Sequence, residues 1–283
     1  MKKKAIFVLC LLLAVFAGGC MEETEELVLN ETVNVSEYEF ELFLDPDSHE
    51  LPANVTTYYL LEKERQIRVV TQLINSSEIQ IIPMESLGGG PADKPIENLA
   101  LLVGPANRTT VSVETFGELS NLSEVSDVNY TLLKETKQNQ KFIRLVFDEP
   151  VTGYLAYTMK LHNSQNFITP NPPSRFVRVV LPETYATGNR LFGIPKPAPS
   201  SLSHDSEGRQ VVFWRDLKKE ELLQVKYYKQ SAMKLFLAAF IALFFGMLLV
   251  LSSYSRNKKE LIKSREIFEL EKEYLEAQKK KKK

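Results

Sequence analysis

One stretch constrains this chain more than any other: Leu235 to Leu251, LFLAAFIALFFGMLLVL, which holds neither charge nor proline. With Ala232-Met233 before it and Ser252-Ser253-Tyr254 after it, it reaches the roughly 20 apolar residues that cross about 30 Å of hydrocarbon. Lys234 can draw its ammonium back to the interface, and Tyr227, Tyr228 and Tyr254 suit the aromatic belts on either side. A buried core helix is the competing reading. Against it, the run is apolar on every face and ends in Arg256-Asn257-Lys258-Lys259. The sequence therefore predicts a transmembrane helix over 232–254, and the remaining segments are arranged around it.

At the other end, Lys2-Lys3-Lys4 leads into AIFVLCLLLAVFA, the charged and apolar regions of a signal peptide spanning 1–20. Ala17-Gly18-Gly19-Cys20 resembles the lipobox of prokaryotic lipoproteins, which implies a lipid on Cys20. A large aliphatic residue is preferred where Ala17 stands, so ordinary cleavage near Gly19 competes. Either route exports the chain. A single later span then leaves the body outside and the tail 255–283 in the cytoplasm, at a cell membrane crossed once. Charge alone would not decide this, because Arg215, Lys218, Lys219, Lys226 and Lys229 nearly match the basic residues after the span. The net charge of −1 conceals an acidic body between a basic leader and a basic tail. An acidic body argues against nucleic acid as a partner, and the tail suits an anionic inner leaflet. Both cysteines, Cys10 and Cys20, lie in the leader. The body thus has no disulfide, thiol nucleophile or thiolate metal ligand.

Residues 21–36 are acidic and read as a tether. From 37 to 231 the pattern is β-rich. Tyr38, Phe40, Leu42 and Leu44 alternate with Glu39, Glu41 and Phe43, the period of a half-buried strand. Runs such as VTTYYLL, QIRVVTQLI, FIRLVF, GYLAYTMKL, FVRVVL, QVVFW and LLQVKYY follow. They are separated by turn clusters such as Gly88-Gly89-Gly90-Pro91, Asn171-Pro172-Pro173 and the hairpin loop His204–Gly208. The expected fold is a mainly β, antiparallel sandwich-like body. So many strands leave room for two packed modules split near 117–127. Past the span, Leu261, Ile262, Ile267, Phe268, Leu270, Tyr274 and Leu275 recur at helical spacing in a short cytoplasmic helix.

The segment Phe176-Val177-Arg178-Val179-Val180-Leu181-Pro182 is followed by Gly193-Ile194-Pro195-Lys196-Pro197. Then Val211-Val212-Phe213-Trp214 and Val225-Lys226-Tyr227-Tyr228 run into the span. With the leader cysteine, this layout resembles an uncharacterised archaeal family of lipobox-bearing, single-span envelope proteins, known only as a domain of unknown function. The resemblance covers Pro173–Arg265. It implies membrane residence and supplies no activity, so no catalytic residue is carried over.

Chemistry is sparse. His49, His162 and His204 share no metal-ligand spacing. Asp45, Asp47 and Glu50 could hold a hard cation, but an acidic turn between strands explains them better. No G-x-S-x-G elbow occurs, and the Gly88–Gly90 run lacks the Lys-Ser/Thr of a phosphate cradle. Trp214, on a predicted strand, reads as core. Glycosylation sequons stand at Asn30, Asn34, Asn54, Asn75, Asn107, Asn121 and Asn129, all ahead of the span. Ala238, Ala242 and Gly246 share one stripe of the span, a small-residue seam for a homodimer. The expectation is a non-enzymatic protein with no cofactor and no metal, anchored in the membrane, glycosylated, and binding an unidentified envelope protein or surface ligand. The alternative is a membrane-tethered carboxylate-dependent hydrolase, since two carboxylates suffice for glycoside cleavage.

Overall fold

The computed structural model describes residues 23–27, 33–45, 48–52, 54–62, 66–83, 95–105, 112–122, 124–137, 140–160, 165–170, 174–217 and 222–281. In chain order the elements are β1 (Glu23–Glu26), β2 (Val55–Leu60), β3 (Gln66–Ile81), β4 (Glu97–Pro105), α1 (Val113–Ser120), β5 (Tyr130–Lys137), β6 (Gln140–Lys160) and β7 (Asn166–Pro170). They continue with β8 (Phe176–Val180), β9 (Tyr185–Ala186), β10 (Pro195–Lys196), β11 (Ser201–His204), β12 (Gln210–Arg215), β13 (Leu222–Lys226), β14 (Tyr228–Lys229) and α2 (Gln230–Lys281).

A nine-stranded sheet in the order β1-β5-β6-β3-β2-β8-β12-β11, with β4 also on β6, forms the frame. Among the described residues of this sheet, only the β2–β8 pairing is parallel. The 21-residue β6 organises it. One of its edges pairs with β3 from Ile143↔Ile81 to Lys160↔Gln66. The other is shared: β5 takes Gln140–Phe147 and β4 takes Val151–Thr158. The handover falls at Asp148-Glu149-Pro150, where proline contributes no ladder donor and the register against β3 shifts between Leu73 and Glu78. Such irregularities bend a strand and raise its twist.

Both faces of this sheet are covered, which is why β2 is buried at every position. On one face Ile67, Val69, Leu155, Val177, Val212 and Trp214 pack against the sheet β10-β13-β7 through Phe167, Leu223 and Val225. The Tyr58 and Phe167 rings meet at 5.0 Å. On the other face Tyr59, Val70, Leu102, Tyr154, Val180 and Val211 lie beneath α1, through Phe116, and beneath the segment 33–45, which holds a 3-10 turn at Val35–Glu37, through Val35, Tyr38, Phe40 and Leu42. The mainly β, sandwich-like architecture expected from the alternating runs is present.

Three details differ from the sequence reading. Tyr38–Leu44 alternates like a strand but joins no ladder. It crosses the sheet as a strap, so its alternation records one side chain in two turned onto apolar surface. The acidic stretch 21–36 is not all tether, since Glu23–Glu26 pairs antiparallel with Leu133–Thr136 of β5. Finally, strands from both sides of 117–127 share one sheet, and the segment itself holds the end of α1, so the body is one compact unit ending at Tyr228. α1 is started by Ser112, whose hydroxyl accepts from Thr115 N at 3.3 Å.

The second unit begins at Lys229. It is one continuous helix of 52 residues, about 78 Å long at 1.5 Å per residue. It is long and apolar enough to cross a membrane, and none of its apolar window is buried. The span and the helix expected beyond it are a single element.

Candidate functional site

The densest polar constellation among the described residues lies where the strap crosses the sheet. Acidic residues of the strap meet arginines of three strands and of one hairpin loop. Glu37 faces Arg68 at 3.6 Å, and Glu41 faces Arg178 at 3.0 Å. Asp45 pairs with Arg215. Glu39 takes both terminal nitrogens of Arg209, at 2.7 and 2.6 Å, a two-pronged geometry that favours planar guanidinium over ammonium. The same guanidiniums lie over rings: Arg209 over Tyr59 at 5.7 Å, Arg178 over Phe43 at 5.3 Å and Arg215 over Phe176 at 5.8 Å.

Arg209 reaches this position from the β11–β12 hairpin. Asp205 Oδ1 accepts from the backbone N–H groups of Glu207 and Arg209, while Asp205 Oδ2 accepts Arg209 Nε at 2.7 Å. The loop is thereby a preformed arginine mount. Burial pushes the Asp205 carboxyl up, but the hydrogen bonds from Arg209 and the loop backbone outweigh it and hold the group below its ordinary value. Hydrogen bonding to Glu39 pushes Arg209 upward. These acids and bases answer one another, so the chemistry of the constellation is closure of the strap.

Buried phenols are a second electrostatic feature. Tyr38 donates to Asn98 O and lies 3.0 Å from Thr158 Oγ1. Burial pushes Tyr38, Tyr59, Tyr154 and Tyr157 above the ordinary tyrosine value, and Tyr58 up to about 12. A raised folded value means that folding favours the neutral phenol. The stability it represents is complete below about pH 10 and is lost as pH rises toward the folded values. Urea unfolding of the full chain in detergent, read by Trp214 emission, should show stability falling above about pH 10, by up to about 1.4 kcal/mol per pH unit for each tyrosine. A flat profile from pH 9 to 11 would refute this origin of alkaline sensitivity.

Two openings accompany these features. A groove of about 360 Å³ lies at the β6 handover, lined by Asp127, Val128, Asn129, Asp148, Glu149, Pro150 and Val151. A smaller pocket of about 70 Å³ is lined by Thr56, Thr71, Ser174, Tyr157, Asn54 and Glu78 among others. Its hydroxyls bond one another, Thr56 to Ser174 at 2.5 Å and to Thr71 at 3.4 Å. The groove could admit a polar ligand, and it was not legible in sequence because Asp127 and Asp148 are brought together by β5–β6 pairing.

Sequence-predicted positions separate as follows. Cys20, Asn30 and Asn107 lie outside the described residues. Asn75, Asn121 and Asn129 are exposed. Asn34 is exposed but engaged: its amide donates to Glu37 at 3.0 Å and accepts from Ser36 at 2.8 Å. Asn54 is half-buried and accepts from Ser76. Ala238, Ala242 and Gly246 are exposed along α2, and a Cβ at Gly246 would meet nothing within 4 Å. Trp214 is core, 1% exposed, with its indole N–H on Pro197 O at 3.0 Å. Asp45 is engaged with Arg215, and no group of three or more metal-ligating side chains occurs among the described residues.

A β body with three sheets among the described residues, followed by one helix of membrane-crossing length and composition, defines the class of protein. The chain belongs to a family of unknown function, DUF5803, whose model matches residues 53–273. No curated protein matches it. The match extends well ahead of Pro173–Arg265, where the resemblance was drawn, and takes in β2 to β14 and most of α2. The strap lies outside it, while Arg68, Arg178, Arg209 and Arg215 lie inside.

Proposed function

We propose that this protein is an envelope protein held by α2, with its β body outside the cell and residues 255–283 in the cytoplasm. In this reading it binds a partner or surface ligand, or spaces envelope components, without catalysis. The observation that carries it is the apolar segment of α2, with no residue of that window buried. The leader supports export, and a lipid on Cys20 adds a second anchor. Exposed Asn75, Asn121 and Asn129 suit a glycan coat, which leaves the stretch 141–228 as the less decorated surface for a partner. Protease added to intact cells should remove an epitope near Tyr130 and spare one at Lys283, and the mass of the N-terminal peptide reports the Cys20 lipid. Loss of the terminal epitope without lysis would overturn the orientation.

The second reading, a carboxylate-dependent hydrolase, is favoured by the carboxylates Asp127, Asp148 and Glu149 around one groove. Hydrolysis of glycoside substrates by the full chain, abolished in Asp148→Asn, would replace the first reading.

Self-association follows from the same helix. Ala238, Ala242 and Gly246 form a stripe on which two backbones can approach closely, and Ile267, Leu270, Tyr274 and Ala277 continue at coiled-coil spacing. The two seams support a parallel homodimer, and the competing reading of the tail is an amphipathic helix lying on the inner leaflet. Combined Ala242→Leu and Gly246→Leu should reduce dimer yield in a membrane dimerisation reporter, and unchanged yield would leave the span as an anchor only.

A further inference from the structure

Leu191 is the most exposed large apolar side chain of the β body among the described residues, at 79%. It is carried by a tightly built turn. Asn189 and Gly193 form an isolated bridge, and Gly193 N donates to Asn189 O at 2.8 Å. Gly188 N donates to Gly193 O at 2.9 Å, and the Asn189 carboxamide accepts from Leu191 N at 2.9 Å. The turn is also fixed to the end of β13. Thr187 Oγ1 donates to Lys226 O at 2.6 Å. Gly193 lies so close that an added Cβ would sit 2.5 Å from that same oxygen, an approach only glycine permits. Phe192 packs on Tyr228 with ring centroids at 5.2 Å. A turn held at this many points exposes its leucine by construction.

Its position along the chain says what meets that leucine. Tyr228 is two residues ahead of Gln230, where α2 begins. The charge-free apolar run starts at Leu235, about 8 Å further along a helix rising 1.5 Å per residue. The headgroup layer on each side of the hydrocarbon is of similar depth, about 5–8 Å. The turn is thus packed on the residue with which the body ends, a few positions along the chain from the apolar run. Arg190 and Lys226 are exposed on the same turn and strand end, complementary to anionic headgroups. Ile194, 36% exposed, adds apolar surface. An apolar tip with basic residues on the same turn and strand end is the composition of an interfacial membrane contact.

We propose that the turn Asn189–Gly193 is a membrane-contact foot that seats Leu191 in the bilayer interface. The proposal rests on α2 being a span. Its test uses the full chain in vesicles of equal parts phosphatidylcholine and phosphatidylglycerol, with or without lipids brominated near the headgroup end of the acyl chain. Trp214 is buried and gives a constant background. Leu191→Trp should lose about half of its added emission in brominated vesicles. Leu222→Trp, at the far end of β13, should keep its emission and be quenched by aqueous iodide instead. Iodide quenching of Leu191→Trp as strong as that of Leu222→Trp would place the turn in water and overturn the foot. Shielding from both quenchers would mean that protein covers the leucine, and would also overturn it. A chain that fails to float with the vesicles removes the span, and the foot with it. A chain that floats with Leu191→Trp unquenched removes the foot alone.

Discussion

Gly153→Ala is expected to cost about 3 kcal/mol or more of folding stability, enough to unfold much of a marginally stable body. Gly153 stands in β6 at φ +147°, a backbone conformation that side chains rarely adopt. It is paired on both edges, to Leu73 of β3 and Val103 of β4. An added Cβ would lie 2.1 Å from Leu102 O and 2.8 Å from Val103 Cα. Both are backbone atoms in the middle of a sheet, so no side-chain rotation relieves the overlap. Either β4 leaves β6 or the bend of β6 is lost. The check is urea unfolding of the full chain in detergent, followed through the single tryptophan, Trp214. Gly117→Ala is the control, because a Cβ there meets nothing within 4 Å, and alanine in a helix should gain up to about 1 kcal/mol. An unchanged midpoint for Gly153→Ala would contradict the packing described for β6.

Arg209→Met should cost about 3 kcal/mol, whereas Glu39→Gln should cost less than about 1 kcal/mol. The asymmetry follows from exposure. Asp205 is 8% exposed and Arg209 15%, against 41% for Glu39. Removing the guanidinium leaves the half-buried Asp205 carboxylate with only its backbone donors. Neutralising Glu39 leaves Arg209 its bond to Asp205. Adding Asp205→Asn to Arg209→Met should therefore recover part of the loss. The pH dependence follows the same partner. Asp205 is held below its ordinary value, so its contribution is present above about pH 4 and lost as pH falls through its folded value. That acid-side loss should shrink in Arg209→Met. Equal destabilisation by Arg209→Met and Glu39→Gln would show that strap closure, rather than the half-buried hairpin pair, carries the energy.

The family match begins at residue 53, after the strap. Even so, Tyr38 and Phe40 pack on the sheet, and Glu37, Glu39, Glu41 and Asp45 pair with arginines inside the matched region. A chain begun at residue 53 would uncover Tyr59, Val180 and Val211 together with those arginines.

The sequence by itself determined the membrane-length helix, the β class of the body, the His204–Gly208 hairpin and the core role of Trp214. Each depends on patterns that are local in sequence. A charge-free apolar run has few fates, and a Gly- and Asp-bearing loop between alternating segments turns the chain wherever it lies. Only the tertiary structure decided that Tyr38–Leu44 is a strap, that Glu23–Glu26 docks as an edge strand, and that both sides of 117–127 belong to one sheet. Alternation records which side chains are covered and says nothing of which backbone supplies the hydrogen bonds. The same limit hid the Asp127–Glu149 groove and the turn bearing Leu191. Their residues are ordinary in sequence and acquire meaning only through partners far along the chain: β5 against β6 for the groove, and Lys226 and Tyr228 against Thr187, Gly193 and Phe192 for the turn.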